Sequence, residues 1–304
     1  MERLIEELTQ YLNSPEALTG EASKVTTFVS RDGRCPTVSD FNRWILEQLN
    51  LRGGDPNAIL ENSNQAMWNF LQRFDEFVLF EDPHILVVDK PAGISSHYPS
   101  KFSFGVEEIA RHLLGDNVCL AHRLDKDTTG VLVLAKSQEA HDNLQAQFSN
   151  KASGSMEKVY LAVLDGELNF PPIKVSATIA RTATEKMREV KPWERAGGRP
   201  SLTIFQPLAV LSNQAGFSRT LTRVQPITGI THQIRVISAD YLGTPVAGDR
   251  MYNPNPDGVV RPMLHAFELT FQHPITKDPM TISSPIPQDF RDFVSTMDWR
   301  YFIA

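Results

Sequence analysis

The residues best placed to do chemistry are His122-Arg123-Leu124-Asp125-Lys126-Asp127-Thr128-Thr129-Gly130, which feed the apolar run Val131 to Ala135. Asp125 lies beside cationic or potentially cationic neighbours in a segment of turn-forming residues. A carboxylate held rigid and kept ionised can attack carbon as a nucleophile. A single aspartate in a loop is more often solvated or a helix cap, so this segment alone does not assign the chemistry.

Two further segments carry candidate groups. One is Lys158-Val159-Tyr160-Leu161-Ala162. The other is Thr228-Gly229-Ile230-Thr231-His232-Gln233-Ile234-Arg235-Val236, followed by Gly243, Pro245 and Gly248-Asp249. None of the histidines shows metal-ligand spacing such as His-Glu-x-x-His. Cys35 and Cys119 stand far apart and match no zinc or redox spacing. The glycines form neither a P-loop nor a dinucleotide fingerprint, so nucleotide hydrolysis and hydride transfer have no support.

The elements that must position these groups can be read from periodicity. His84 to Lys90 is an expected buried strand, closed by Pro91-Ala92-Gly93, with Phe77 to Pro83 leading into it. Val131 to Ala135 is another. Ser137 is an expected N-cap for a helix whose Ala140, Leu144 and Phe148 share a face. Lys158 to Leu164, Leu202 to Leu211 and Thr220 to Ile227 read as strands. Thr231 is an expected cap for a helix burying Ile234, Ile237 and Tyr241, ended by Gly243 with Pro245 beyond. The tail from Pro262 to Pro287 reads as strand and loop. Strands without strict βα alternation point to an α+β fold.

Residues 1–77 differ from the rest. They carry two helix-like patches, around Leu4, Leu8 and Leu12 and around Phe41, Trp44, Ile45 and Leu49, and no catalytic motif. They also hold 12 acids against 7 bases, whereas residues 78–304 hold 24 against 23, so most of the net charge of −6 sits in this quarter. The expected division is an acidic, partly helical extension over 1–77 and a catalytic domain over 78–304. Within the latter, Arg181 to Arg199 holds six bases against three acids. That run is either a solvated loop or a local grip on a phosphate backbone. No apolar run approaches the roughly 20 residues that span a bilayer, and the N-terminus has no signal-peptide pattern. The expectation is a cytoplasmic monomer with no membrane contact, no metal and no disulfide framework.

The three chemistry-bearing segments together resemble the RluA-type RNA pseudouridine synthases. His122 to Gly130 is similar to the family's His-Arg-Leu-Asp element, with Thr129 where serine is usual. Lys158 to Ala162 is similar to its Lys-x-Tyr-x-Ala strand, and Thr228 to Arg235 to its third element. Asp89-Lys90-Pro91-Ala92-Gly93, Leu264-His265-Ala266 and His273-Pro274 are supporting matches. The resemblance covers roughly residues 78–290 and implies a largely antiparallel mixed sheet with flanking helices and a central active-site cleft. It also implies isomerisation of uridine in a structured RNA, ribosomal or transfer, without metal or cofactor.

It further implies roles for single residues. Asp125 matches the catalytic aspartate that acts on the ribose. Arg235 matches the arginine that pairs with it, an opposite charge that would keep the carboxylate ionised. Tyr160 matches the tyrosine stacked on the flipped uracil, whose hydroxyl can relay the proton lost from carbon 5. Arg123 matches the arginine that fills the space left by the flipped base. Leu264 matches an apolar position under the uracil. His122 and His265 read as hydrogen-bonding framework. Without the resemblance, Tyr160 is a core strand tyrosine and Arg235 a fold-stabilising ion pair.

Two departures stand out. Ile230 occupies a family arginine position. The segment Ile237 to Gly243 is one residue longer than the family's usual wording, which leaves the helix register after Arg235 open. Residues 1–77 do not resemble the small RNA-binding domain some members carry, so RNA would be gripped by the catalytic domain, and 1–77 could serve as a partner-binding module. The rival reading is a non-catalytic RNA-binding or RNA-folding protein on the same scaffold.

Overall fold

A computed structural model describes residues 65–97, 105–149, 156–168, 171–182, 186–190, 197–212, 217–256, 258–295 and 297–302. The helix-like patches near Leu4 and Trp44 lie outside the described residues, as do parts of the basic run 181–199. In chain order the first elements are helix α1 (Gln65–Gln72), strands β1 (Val78–Glu81) and β2 (Ile85–Lys90), helix α2 (Val106–Leu114), strands β3 (Cys119–Leu120) and β4 (Thr129–Ala135), and helix α3 (Gln138–Ser149). Then come β5 (Glu157–Asp165), β6 (Ile173–Arg181), β7 (Met187–Val190), β8 (Arg199–Ser212) and β9 (Ser218–Pro226). Helix α4 (Gln233–Val236) runs into a π-helical turn over Ile237–Tyr241. Strands β10 (Leu264–Gln272) and β11 (Pro279–Ser283), helix α5 (Gln288–Ser295) and strand β12 (Asp298–Phe302) complete the order.

The fold is α+β, and its strands divide between two compact units. Described residues before Met156 form one unit with Phe271–Ser284. Met156–Thr270 form the other with the residues from Pro285 on.

In the first unit β4 lies between β2 and β3, antiparallel to both. All seven of its residues are buried. That explains why Thr129 to Ala135 reads as a continuous apolar run rather than an alternating one. Helix α3 starts where its cap predicts: the Ser137 hydroxyl accepts the Ala140 N–H at 3.2 Å, and Ala140 and Leu144 are buried. The returning segment is stapled to the unit's first strands. His273 Nε2 meets Asp82 Oδ2 at 2.8 Å, and the Ser284 hydroxyl donates to Asp89 at 2.7 Å.

In the second unit the strand order is β10-β5-β9-β8-β6-β7, with β12 also on β8, and the printed pairings are antiparallel. Strand β5 is buried on both faces, and period-2 alternation divides its residues between two cores. Ala162 and Leu164 join one with Ile230, Ile234, Val236 and Ile237. Leu161 and Val163 join the other with Phe290 and Val294 of α5.

Three expectations need correction. The residue before α4 is His232, not Thr231, and it adopts a left-handed backbone at φ 56°. Tyr241 is exposed rather than buried with Ile234 and Ile237, because the π-helical turn rotates the later residues away from the α-helical face. Helices α1, α2 and α5 and strands β6 and β7 carry too weak a pattern to have been read from the sequence. Gly243 does end the segment, at φ 68°. Among the described residues no helix is long and apolar enough to cross a membrane.

Candidate active site

The segment carrying Asp125 is built on a buried ammonium. Asp125 opens a β-turn, its carbonyl accepting the Thr128 N–H at 3.1 Å. Directly beside it, the carbonyl of Lys126 accepts from Gly93 N at 3.1 Å and from the Lys90 ammonium at 2.9 Å. Lys90 is fully buried, and its Nζ donates twice more, to Pro91 O at 2.8 Å and Ile94 O at 2.7 Å. An ammonium carries three donors, and a buried charge is tolerable only when such donors are used. Here three carbonyls use them.

Ser96 fixes the other side of the turn. Its hydroxyl donates to Leu124 O at 2.7 Å and accepts from Leu124 N at 2.9 Å. The segment upstream is held by His122. Its Nε2 accepts the Val133 N–H at 3.1 Å, and its ring stacks on Phe148 at 4.4 Å. With Nε2 an acceptor, the neutral ring carries its proton on Nδ1. Backbone and core thus hold the turn on both sides of Asp125. Asp125 itself is half-buried, while Arg123 is exposed. Neighbouring His97 has its pKa pushed below the ordinary value, first by burial and then by the Arg123 charge.

Tyr160, Leu264 and Arg235 belong to the second unit. Tyr160 and Leu264 sit on paired strands: Ala266 faces Tyr160, and Leu264 faces Ala162. Half-buried Tyr160 packs on the apolar cluster that contains buried Leu264 and the α4 residues Ile234 and Val236. The Lys158 ammonium reaches Thr228 O at 3.4 Å, tying the tyrosine strand to the segment before α4. Ile230 is buried in the same cluster, so the side chain at the family's arginine position serves the core.

Arg235 is buried and gripped by Asp249. Nε donates to Oδ2 at 2.7 Å and Nη2 to Oδ1 at 2.8 Å, a two-pronged pair with planar complementarity. Asp249 Oδ1 also accepts from Met251 N at 3.0 Å and Tyr252 N at 3.3 Å. The Tyr252 ring lies under the guanidinium, 5.1 Å from its carbon, which is cation–π distance. The loop from Asp249 to Asn253 is anchored in turn, Asn253 Nδ2 donating to Asp165 Oδ2 at 2.5 Å while Arg219 Nε takes Oδ1 at 2.6 Å. Upstream, Gln233 uses both ends of its amide. Its oxygen accepts from Thr228 Oγ1 and Ile230 N, and its nitrogen donates to Leu202 O and Thr203 Oγ1.

Sequence reasoning missed the parts that do the holding. Lys90 and Asp249 appeared only as flanking matches, and Ser96, Gln233 and Tyr252 had no signal. The open register after Arg235 is resolved by the π turn. Leu242 N bonds Ile237 O, an i to i+5 step that takes in one more residue than an α turn. Among the described residues no group of three or more His, Cys, Asp or Glu converges to hold a metal ion.

Comparison with known proteins decides the family. The family model described as RNA pseudouridylate synthase matches residues 84–240, just over half of the chain. The chain belongs to the RNA pseudouridylate synthase family. Among its relatives, the ribosomal large subunit pseudouridine synthase C of Escherichia coli K12 is 34% identical over 266 residues, covering 81% of this chain and 80% of that protein. The protein of the same name from Vibrio vulnificus is 32% identical over 246 residues, covering 78% and 74%. Among solved structures, human RNA pseudouridylate synthase domain containing 1 superposes with a TM-score of 0.62 at 25% identity, covering 75% of this chain and 89% of that one. A pseudouridine synthase isomerises uridine to pseudouridine in RNA, and that is the activity of this chain.

Proposed function

We propose that the protein modifies ribosomal RNA of the large subunit, with Asp125 acting on the ribose of a uridine flipped out of its helix. The target class follows the names of its relatives, and transfer RNA is the alternative. In this mechanism the bond from ribose carbon 1 to uracil nitrogen 1 breaks, and a bond to carbon 5 forms. Carbon 5 loses its proton and nitrogen 1 gains one, so atoms and electrons balance without a cofactor.

Asp125 supplies the carboxylate that engages carbon 1, directly or by assisting loss of a ribose proton. Arg235 neutralises and orients it through the guanidinium edge between Nη1 and Nη2, Asp249 using the opposite edge. Tyr160 stacks on the detached uracil and takes part in moving the carbon 5 proton, with Leu264 supporting the base. Arg123, exposed beside Asp125, enters the space the base leaves. The protein works as a cytoplasmic monomer, and 78–304 is the catalytic domain. Cations of the hairpin β6–β7 grip phosphate.

The supporting observation is the anchoring of Asp125 by Lys90 and Ser96, since a merely RNA-binding loop has no need of an aspartate fixed from two sides. The test uses unmodified ribosomal and transfer RNA transcripts tritiated at uridine carbon 5. Release of label from the ribosomal transcript, abolished in Asp125→Ala, is the expected result. Binding without release from either RNA would reinstate a non-catalytic RNA-binding role.

A further inference from the structure

Strand β7 ends the sheet order of its unit, so one of its edges has no neighbouring strand. Its pairing with β6 uses the even-numbered residues: Lys186 O accepts from Thr182 N on the β6 side. The N–H groups of Met187 and Glu189, two residues apart, therefore leave the open edge. Both are taken up by side chains around α4. Met187 N donates to the Tyr252 hydroxyl at 3.1 Å, and Glu189 N donates to Asp240 Oδ2 at 3.1 Å. An open strand edge is commonly blunted by charge or by a covering element. Here two spaced acceptors take the place of a strand.

Both acceptors belong to the machinery that holds Arg235. Tyr252 lies under the Arg235 guanidinium, and its ring also receives the Lys186 ammonium at 4.7 Å. Its hydroxyl, already accepting from Met187 N, has its own proton to give, and His232 Nδ1 lies 2.8 Å away. His232 directly precedes α4 and holds a left-handed backbone. For a non-glycine residue that conformation costs roughly 1 kcal/mol or more and persists only where surrounding contacts enforce it. Asp240 sits in the π turn that follows Arg235. The cations Arg181, Lys186 and Arg188 lie along the same hairpin.

We infer that Tyr252 and Asp240 are positioning residues. They latch the basic hairpin to the helix of Arg235, so that RNA seated on the hairpin sets the guanidinium for the reaction. This rests on the reading of Arg235 as the partner of Asp125. The latch acts on the chemical step rather than on affinity, because the phosphate-binding cations remain in place when it is cut.

The test measures single-turnover release of tritium at saturating RNA, together with RNA affinity by gel shift and the thermal midpoint. Tyr252→Phe keeps the ring under Arg235 and removes only the hydroxyl. Asp240→Ala removes the second acceptor, and Asp240→Asn keeps an acceptor oxygen. Tyr252→Phe and Asp240→Ala should each slow the step by roughly tenfold or more with RNA affinity held, since small misplacements of a catalytic group have large effects on rate. Asp240→Asn should restore most of the rate. Unchanged rates in both cut variants, or a loss that saturating RNA recovers, overturns the latch. If Tyr252→Phe does not fold, the Asp240 pair decides. Asp125→Ala and Arg235→Lys run alongside. If they abolish release while the latch variants do not, only the latch fails; if Asp125→Ala still turns over, the underlying reading of the site fails.

Discussion

Asp249 holds Arg235 by both carboxylate oxygens, at 2.7 and 2.8 Å, with the carboxylate fully buried. The arginine expected to serve Asp125 is thus itself positioned by a second aspartate in its own unit. Asp249→Ala should strand a buried guanidinium and cost about 3–5 kcal/mol, the usual penalty for breaking such a pair from one side. Urea denaturation reads the loss directly. Arg235→Lys keeps the charge but cannot form the two-pronged contact. It should fold and lose single-turnover rate by roughly a hundredfold; a rate near wild type would mean that the forked geometry is dispensable.

Lys90→Met offers a test of the Asp125 anchor at a distance from the chemistry. The thioether fills similar volume and leaves three carbonyls without their donor. At about 1 kcal/mol for each unsatisfied group, the cost is roughly 3 kcal/mol. Turnover should fall further than stability explains, because the Lys126 carbonyl next to Asp125 is released. An unfolding midpoint equal to wild type would remove Lys90 from the anchor.

The Asp82 staple gives a pH dependence with a definite sign. Burial alone would raise its pKa. The N–H groups of Ile85 and His84 and the His273 ring outweigh burial and hold the pKa below 3.8. A depressed folded pKa gives stability that is fully present above the unfolded value and lost as pH falls through the folded one. The wild-type midpoint in urea should therefore drop more steeply below about pH 4 than that of Asp82→Asn. Parallel acid limbs for the two proteins would count against the staple.

Gly248 sets the entry to the Asp249 loop. Its φ is 77°, and an added Cβ would stand 2.1 Å from the Arg261 carbonyl oxygen. That contact is with backbone and cannot be relieved by turning a side chain. Gly248→Ala should lower the thermal midpoint by a shift equivalent to more than about 1 kcal/mol and move Asp249 off Arg235. Comparison with Gly243→Ala, where the Cβ would meet open space at φ 68°, separates crowding from backbone strain.

What could be read beforehand follows from where the information resides. Strands β2 and β4 were visible because burial on both faces writes a continuous apolar run. Helix α3 was visible because Ser137 and the Ala140–Leu144 spacing are local signals. Strands β6 and β7 were not, since polar and charged residues interrupt their alternation. Helix α4 was misread at both ends. Its entry depends on a strained His232 fixed by Tyr252, and its exit on a π turn that breaks the 3.6 period. Asp125, Tyr160 and Arg235 stood out through family wording rather than through any pattern of their own. Lys90 escaped notice as an anchor because a buried ammonium bonded to three carbonyls is a tertiary arrangement that no spacing announces.

The π turn has one more consequence, for how this chain is set beside its relatives. An extra residue absorbed between Ile237 and Tyr241 leaves everything up to Arg235 in step and displaces everything from Gly243 onward by one. Any residue-by-residue transfer across that point must place its gap inside those five positions. An alignment that puts the gap earlier would credit a relative's arginine to Ile234 or Val236, and with it a chemistry that neither side chain can perform.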